Sequence, residues 1–88
     1  MDRYFTAIAD KDYQDWCKTD KKLFKKINDL IDDIEKNGLL FGVGKPEQLK
    51  YYKEATFSRR INKANRLVYR QYNKDDLLIL SCKGHYED

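Results

Sequence analysis

The 88-residue sequence is poor in the residues that break or cross-link a chain: it has one proline, four glycines, two cysteines and a single histidine. So few breakers argue against a low-complexity or disordered chain. Two cysteines, Cys17 and Cys82, allow at most one disulfide, and with no secretion signal at the N-terminus they are expected to be reduced core residues. Cys17, Cys82 and His85 together give three soft ligands, one short of a structural zinc site, so no metal and no cofactor is expected. No apolar run approaches the roughly 20 residues that a transmembrane helix needs. Met1-Asp2-Arg3-Tyr4-Phe5 lacks the apolar stretch of a signal peptide. The chain is therefore expected to be one cytoplasmic domain spanning residues 1–88, without a membrane partner.

Charge is abundant and unevenly placed. Residues 1–44 carry 8 Lys and Arg against 9 Asp and Glu, a balance of −1, whereas residues 45–88 carry 10 against 6, a balance of +4. The excess is densest over residues 45–70, where Lys45, Lys50, Lys53, Arg59, Arg60, Lys63, Arg66 and Arg70 face only Glu47 and Glu54. Such a segment attracts polyanions. Half of its cations are arginine, the better residue for bidentate phosphate contacts. Scattered surface charge is the bland alternative, and nucleic-acid contact is preferred over it.

Patterning predicts an α+β domain. Tyr4–Ile8 is aromatic and β-branched and predicts a short strand. Asp10 is the expected cap of a helix to about Lys18. Thr19-Asp20 announces a second helix, in which Leu23, Ile27, Leu30, Ile31 and Ile34 form one apolar stripe and Asn37-Gly38 supplies the stop. Leu39–Pro46 predicts a loop. Its two glycines and Lys45 imitate a phosphate-cradling loop, but the Gly-Lys-Ser/Thr ending is absent and no strand leads into it, so an NTPase is rejected. Thr56–Ile61, Arg66–Tyr72 and Leu77–Cys82 then predict three strands joined by turns at Asn62–Asn65 and Asn73–Asp76. The order is β-α-α-β-β-β, with two N-terminal helices packed on one face of a small, twisted, mostly antiparallel sheet. If Leu67 and Tyr69 face the helices, then Arg66, Val68 and Arg70 face away.

Three residue types in this sequence suit metal-free RNA cleavage. A base removes the proton of the ribose 2′-hydroxyl, a cation stabilises the pentacoordinate phosphorus, and an acid protonates the departing 5′-oxygen. Glu47, Arg66 and His85 can fill those roles. A lone His is more often a surface or core residue, Glu47 between lysines more often a salt bridge, and Arg66 more often a solvated edge. Types alone are therefore a weak signal.

Runs of sequence strengthen it. Lys18-Thr19-Asp20-Lys21-Lys22, Lys25-Lys26-Ile27-Asn28, Leu30-Ile31, Gly44-Lys45-Pro46-Glu47, Leu49-Lys50, Ser58-Arg59-Arg60-Ile61, Arg66-Leu67-Val68-Tyr69 and Gly84-His85-Tyr86 follow one another along nearly the whole chain. In these runs the chain resembles the YoeB branch of the RelE-like toxin superfamily, the ribosome-associated mRNA endonucleases of bacterial toxin–antitoxin systems. The resemblance implies a microbial-ribonuclease-like sheet, with Glu47 as general base, Arg66 as phosphate-stabilising arginine and His85 as general acid. It also implies that Tyr86 helps hold the substrate and that Lys50 lies near the scissile phosphate. Arg59 and Arg60 match an arginine pair that contacts RNA or ribosomal RNA, and Lys53, in the same basic segment, is expected to bind RNA with them. Where the family frequently has His before the phosphate-stabilising arginine, this chain has Asn65. The implied partners are a cognate antitoxin with an acidic, partly disordered segment, the ribosome with its mRNA, and promoter DNA only as part of the toxin–antitoxin complex. A homodimer stays open. The alternatives are a non-catalytic RNA- or ribosome-binding module and a co-repressor acting on its own promoter with the antitoxin.

Overall fold

The computed structural model of the chain describes residues 1–84. Strand β1 (Arg3–Phe5) leads into helices α1 (Ala7–Thr19) and α2 (Lys21–Asn37), followed by strands β2 (Glu47–Gln48), β3 (Phe57–Arg60), β4 (Arg66–Tyr72) and β5 (Asp76–Ser81). The strands form one sheet in the order β1-β5-β4-β3-β2. β1 runs parallel to β5 and every other pairing is antiparallel. The α+β class, the two helices before the main strands and the mostly antiparallel sheet are as the sequence predicts.

Two local expectations give way to stronger chemistry. The first strand stops at Phe5 rather than Ile8 because Thr6, not Asp10, caps α1: its Oγ1 accepts from the Ala9 amide at 3.1 Å and donates to the Leu80 carbonyl at 2.9 Å. Ala7 and Ile8 therefore join the helix, leaving Ile8 exposed. β2 is a strand no pattern announced, since two polar residues carry no hydrophobic alternation. Its pairing with β3 supplies the order instead: Glu47 lies opposite Ser58, and Gln48 opposite Phe57. The same ladder continues through the Leu49 amide, which donates to the Thr56 carbonyl at 2.8 Å.

The second helix behaves as predicted. Asp20 accepts from the Leu23 amide at 3.2 Å, and Gly38 ends the helix with φ of +97°. Ile27, Leu30, Ile31 and Ile34 are all buried against Phe57, Leu67, Tyr69, Leu77 and Ile79 from the sheet. Fully burying each such aliphatic side chain is worth about 1.5–3 kcal/mol, so this stripe binds α2 firmly to the sheet. Leu67 and Tyr69 point at the helices, which turns Arg66, Val68 and Arg70 to the other face. Val68 pairs with Ser81 while Tyr69 pairs with Ile79, so the register shifts by one residue there. Such a bulge bends the sheet and increases its twist. The sheet thus has one face committed to the core and one face on which β2, β3 and β4 present polar groups.

Candidate active site

The outward face carries the candidate chemistry. Residues directly opposite in a ladder share a face, as do residues two apart in a strand. Glu47 pairs with Ser58, Ser58 with Val68, and Arg60 with Arg66. Glu47, Ser58, Arg60, Arg66, Val68 and Arg70 are therefore all on the face away from the helices. Two strand spacings and two residue rises separate the Glu47 and Arg66 backbones by roughly 12 Å, with the buried Ser58 and Val68 between them on that face.

The two groups sit in different surroundings. Glu47 is exposed and makes no ion pair among the described residues, unlike the salt-bridged surface carboxylate that its lysine neighbours suggest. Lys45 and Tyr51 flank β2 with positive φ values of 52° and 63°. Such conformations are uncommon for residues with a side chain and concentrate at functional sites. Arg66 is half-buried, and its Nη1 donates to the Asn62 carbonyl at 3.2 Å. The turn beneath it is stiff, because the Asn62 Oδ1 accepts from the amides of Ala64 at 2.9 Å and Asn65 at 2.8 Å.

The end of the described chain is fastened to the same place. The Arg66 amide donates to the Gly84 carbonyl at 3.0 Å, and the Gly84 amide donates to the Asn65 Oδ1 at 2.8 Å. From α1, the Trp16 Nε1 donates to the Cys82 carbonyl at 2.8 Å, the Asp12 carboxylate accepts from the Cys82 amide at 3.1 Å, and Lys83 pairs with Asp15 at 3.3 Å. Asn65 is thus a tether between the β3–β4 turn and the C-terminal segment. His85 and Tyr86, the expected acid and substrate-holding tyrosine, lie outside the described residues.

The RNA-binding set is divided by the structure. Lys50 and Lys53 are exposed on the 49–56 connection and Arg60 is exposed at the end of β3. Arg59 is the correction: it is 0% exposed and cannot reach RNA. Its Nε donates to the Tyr69 hydroxyl at 3.0 Å, Nη1 to Asp33 and to the Val43 carbonyl at 3.0 Å, and Nη2 to the carbonyls of Gly38 at 2.8 Å and Phe41 at 2.7 Å. All five of its donors are used. The physical reason is register. Arg59 pairs with Leu67 and so shares the helix-side face, where a charge survives only if fully hydrogen-bonded.

This network fixes the 38–44 loop. Tyr69 donates its hydroxyl to the Leu39 carbonyl at 2.6 Å, and Asp33 accepts from the Val43 amide at 3.1 Å. The Arg59 guanidinium holds the Asp33 carboxyl below the usual carboxylate range, and burial raises the Tyr69 phenol above its ordinary value. Gly42 has φ of +118°, and a Cβ there would run into the Asp33 carboxylate. The loop turns its carbonyls, not its amides, toward the charge, the opposite of a phosphate cradle. Gly44 then accepts from the Arg60 amide at 2.7 Å, and the chain passes through Pro46 into Glu47. The buried arginine therefore builds the approach to β2.

Composition over residues 45–70 could not separate Arg59 from Arg60. The missed signal was Tyr69, an inward-facing tyrosine whose hydroxyl needed a buried partner, together with Asp33, a carboxylate beside the apolar stripe of α2.

Comparison with known proteins agrees with this architecture. Residues 5–86 match the model of the YoeB-like toxin of bacterial type II toxin–antitoxin systems. Toxin YoeB of Synechocystis sp. is 46% identical over 83 residues, covering 94% of each chain, and that of Escherichia coli strain K12 is 47% identical over 75 residues, covering 85% of this chain and 87% of the relative. Among solved structures, the YoeB dimer of Staphylococcus aureus superposes with a TM-score of 0.90 at 44% identity, and YoeB in its heterotetrameric complex with YefM from the same organism with 0.88 at 44%, each over 98% of both chains. The more distant YafQ in the DinJ–YafQ complex of Escherichia coli, at 20% identity over 96% of this chain and 92% of that one, with a TM-score of 0.77, shares the fold. The chain belongs to the YoeB-like toxin family of bacterial type II toxin–antitoxin systems.

Proposed function

We propose that this toxin is a ribosome-dependent endoribonuclease that cleaves mRNA in the A site without a metal ion and so inhibits translation in the cytoplasm. The observation that carries the proposal is that Glu47 and Arg66 share the outward face of the sheet while Gly84 is bonded to the Arg66 backbone. Glu47 is the base: its carboxylate takes the proton of the ribose 2′-hydroxyl, whose oxygen forms a bond to the adjacent phosphorus. Arg66 balances the added negative charge on the non-bridging oxygens, where a preset cation acts most strongly in the transition state. The P–O5′ bond breaks, and His85, joined to Gly84, protonates the leaving oxygen. The products are a 2′,3′-cyclic phosphate and a 5′-hydroxyl. Tyr86 holds the substrate beside His85, while Lys50, Lys53 and Arg60 bind its phosphates. The whole chain acts as one domain. Because the Staphylococcus aureus relatives occur as a dimer and with YefM, a cognate antitoxin of that kind is assigned here, with an acidic, partly disordered segment covering the basic face. A dimer of this chain and promoter binding with the antitoxin belong to the same reading.

The test is cleavage on translating ribosomes. Losing a general acid or base costs about 10²–10⁴-fold, so Glu47→Gln and His85→Gln are each expected to lower the single-turnover rate by that factor with ribosome binding retained. The pH–rate profile should be bell-shaped in the wild type and lose one limb in each variant. A Glu47→Gln, His85→Gln double variant that still cleaves at the wild-type rate would overturn the assignment. Growth arrest with no cleavage by either protein would favour the non-catalytic binding module.

A further inference from the structure

A cleft of about 550 Å³ opens at the end of the sheet where α2 meets the β3–β4 turn, lined by Lys26, Arg60, Ile61, Asn62, Lys63 and Arg66. Among the described residues, α2, β3, the β3–β4 turn and β4 each contribute one cation to it, and none contributes a carboxylate. We infer that this cleft is a second phosphate-binding subsite, in which Lys26 and Lys63, with Arg60, hold the RNA strand at phosphates beyond the one that Arg66 stabilises. The inference rests on the proposed ribonuclease reading and extends it to two residues outside the site so far described.

Some cations of the molecule carry a charge partner and others, such as Lys11, Lys50 and Lys74, carry none among the described residues; what sets the cleft apart is that its cations line one space. Arg3, Lys25, Arg59, Arg70 and Lys83 are each ion-paired. Lys26, Arg60 and Lys63 have no side-chain partner among the described residues. Lys25 is the sharpest contrast: it pairs with Asp29 at 2.9 Å, and its neighbour Lys26 turns into the cleft unpaired. Like charges gathered around one space repel unless an anion fills it.

The choice between a phosphodiester chain and an acidic peptide follows from what else lines the space. A disordered peptide that folds on binding needs apolar anchors to offset its ordering. Among the described residues that line it, the one apolar side chain, Ile61, is 0% exposed and sits in the core. Among the described residues, the exposed large apolar side chains are elsewhere: Leu40, Phe41 and Val43 in the loop, Tyr51 and Tyr52 beyond β2, and Met1, Tyr4, Ile8 and Tyr72. A phosphate backbone needs only the cations. The wall is also built in advance, because Asn62 locks the turn through Ala64 and Asn65 while its carbonyl accepts from Arg66. A strand laid across Arg66 therefore continues over Lys63 toward Lys26.

The experiment measures binding of a 12-nucleotide 2′-O-methyl RNA, which lacks the attacking hydroxyl, by fluorescence anisotropy across a potassium chloride series. Each phosphate contact on a single strand adds about 0.7 to the slope of log K against log salt, so Lys26→Gln, Lys63→Gln should lower that slope by about 1.4. A control removing the same charge elsewhere, Lys11→Gln, Lys74→Gln, should leave it near the wild-type value. All four lysines are exposed, and unchanged thermal melting checks that both doubles fold. Equal slopes for the cleft double and the control would overturn the inference. So would a cleft double that loses affinity for a polyglutamate peptide but keeps its RNA slope, which would give the cleft to an acidic partner. In both cases wild-type cleavage on ribosomes leaves the ribonuclease reading standing. Wild-type protein that cleaves on ribosomes but does not bind the oligonucleotide also overturns the subsite alone, whereas protein that does neither overturns both.

Discussion

Arg59 and Arg60 are adjacent in the chain and end up in opposite environments. Arg59 lies on the helix side of β3, fully buried, with five donors satisfied by one carboxylate, three loop carbonyls and a tyrosine hydroxyl. Arg60 lies on the outward side, exposed, with no side-chain partner among the described residues. The period of a strand is two, so two neighbouring cations must divide between the faces. What differs is the supply of acceptors. On the inner face Asp33 and the 38–44 loop provide them, and the arginine becomes part of the structure. On the outer face nothing in the described chain does, and the charge stays available to a ligand. An Arg-Arg pair in a strand therefore counts as one binding residue rather than two.

The largest effect that could break this comparison is on stability. Replacing Arg59 by Leu leaves the carbonyls of Gly38, Phe41 and Val43 without their donor, each at about 1 kcal/mol or more. A loss of about 3 kcal/mol is expected, which for a chain of this size lowers Tm by roughly 15 °C. Thermal denaturation followed by circular dichroism measures it. Antitoxin-free cleavage by any folded fraction should fall too, because the loop that Arg59 holds leads directly into Glu47. A variant that melts like the wild type, with RNA binding alone weakened, would restore Arg59 to the RNA-contacting set and remove the distinction.

Asp33 gives the second test, through pH. Its carboxyl is held below the usual carboxylate range, first by the hydrogen bond from Arg59 and further by the Val43 amide and the Asn37 side chain. The native state therefore binds its proton less readily than the unfolded chain, whose aspartates titrate near about 3.9. The stabilisation is present above that pH and disappears as pH falls through the lower native value. Asp33→Asn removes the titration and leaves the Arg59 charge unbalanced. It should lower Tm at neutral pH and flatten the decline of stability below about pH 4. Chemical denaturation at a series of pH values measures both, and an acid limb as steep as that of the wild type would place the pH dependence elsewhere.

Much of this was legible in the sequence because it followed from periodicity. The stripe Leu23, Ile27, Leu30, Ile31 and Ile34, its Asp20 cap and its Gly38 stop lie on the chain as a helix must, and Leu67 and Tyr69 face the core as their alternation predicts. β2 was illegible because Glu47 and Gln48 carry no apolar signal and are strand only through pairing with Ser58 and Phe57. Thr6 was overlooked because Asp10 is an equally good cap by type, and only the nearby Leu80 carbonyl selects the threonine. At the site, Glu47 and Arg66 were named by residue type and by resemblance, while the face they share is a property of register. Asn65 was seen as a missing histidine, although its amide group is what grips Gly84. Lys26 belongs to a helix whose lysines look uniformly solvated, and only the packing of α2 beside the β3–β4 turn separates it from Lys25.

The smallest expected effect sharpens the comparison from the other side. Arg60→Gln removes an exposed charge that no described side chain pairs with, and substitutions away from buried networks usually change stability by less than about 0.5 kcal/mol. Its backbone amide, which donates to the Gly44 carbonyl at 2.7 Å, is unaffected by the change, so the loop keeps its anchor. Tm should stay within roughly 2–4 °C of the wild type. The salt slope for the 2′-O-methyl RNA should fall by about 0.7, one phosphate contact. Single-turnover cleavage at saturating ribosomes should be nearly unchanged, because a residue that binds substrate and transition state alike alters KM rather than kcat. Adjacent arginines would then give opposite signatures, one in Tm and one in the salt slope. If Arg60→Gln instead lowers kcat as strongly as Arg66→Ala, Arg60 stabilises the reacting phosphate itself, and the division of the outer face into a scissile position and a flanking subsite fails.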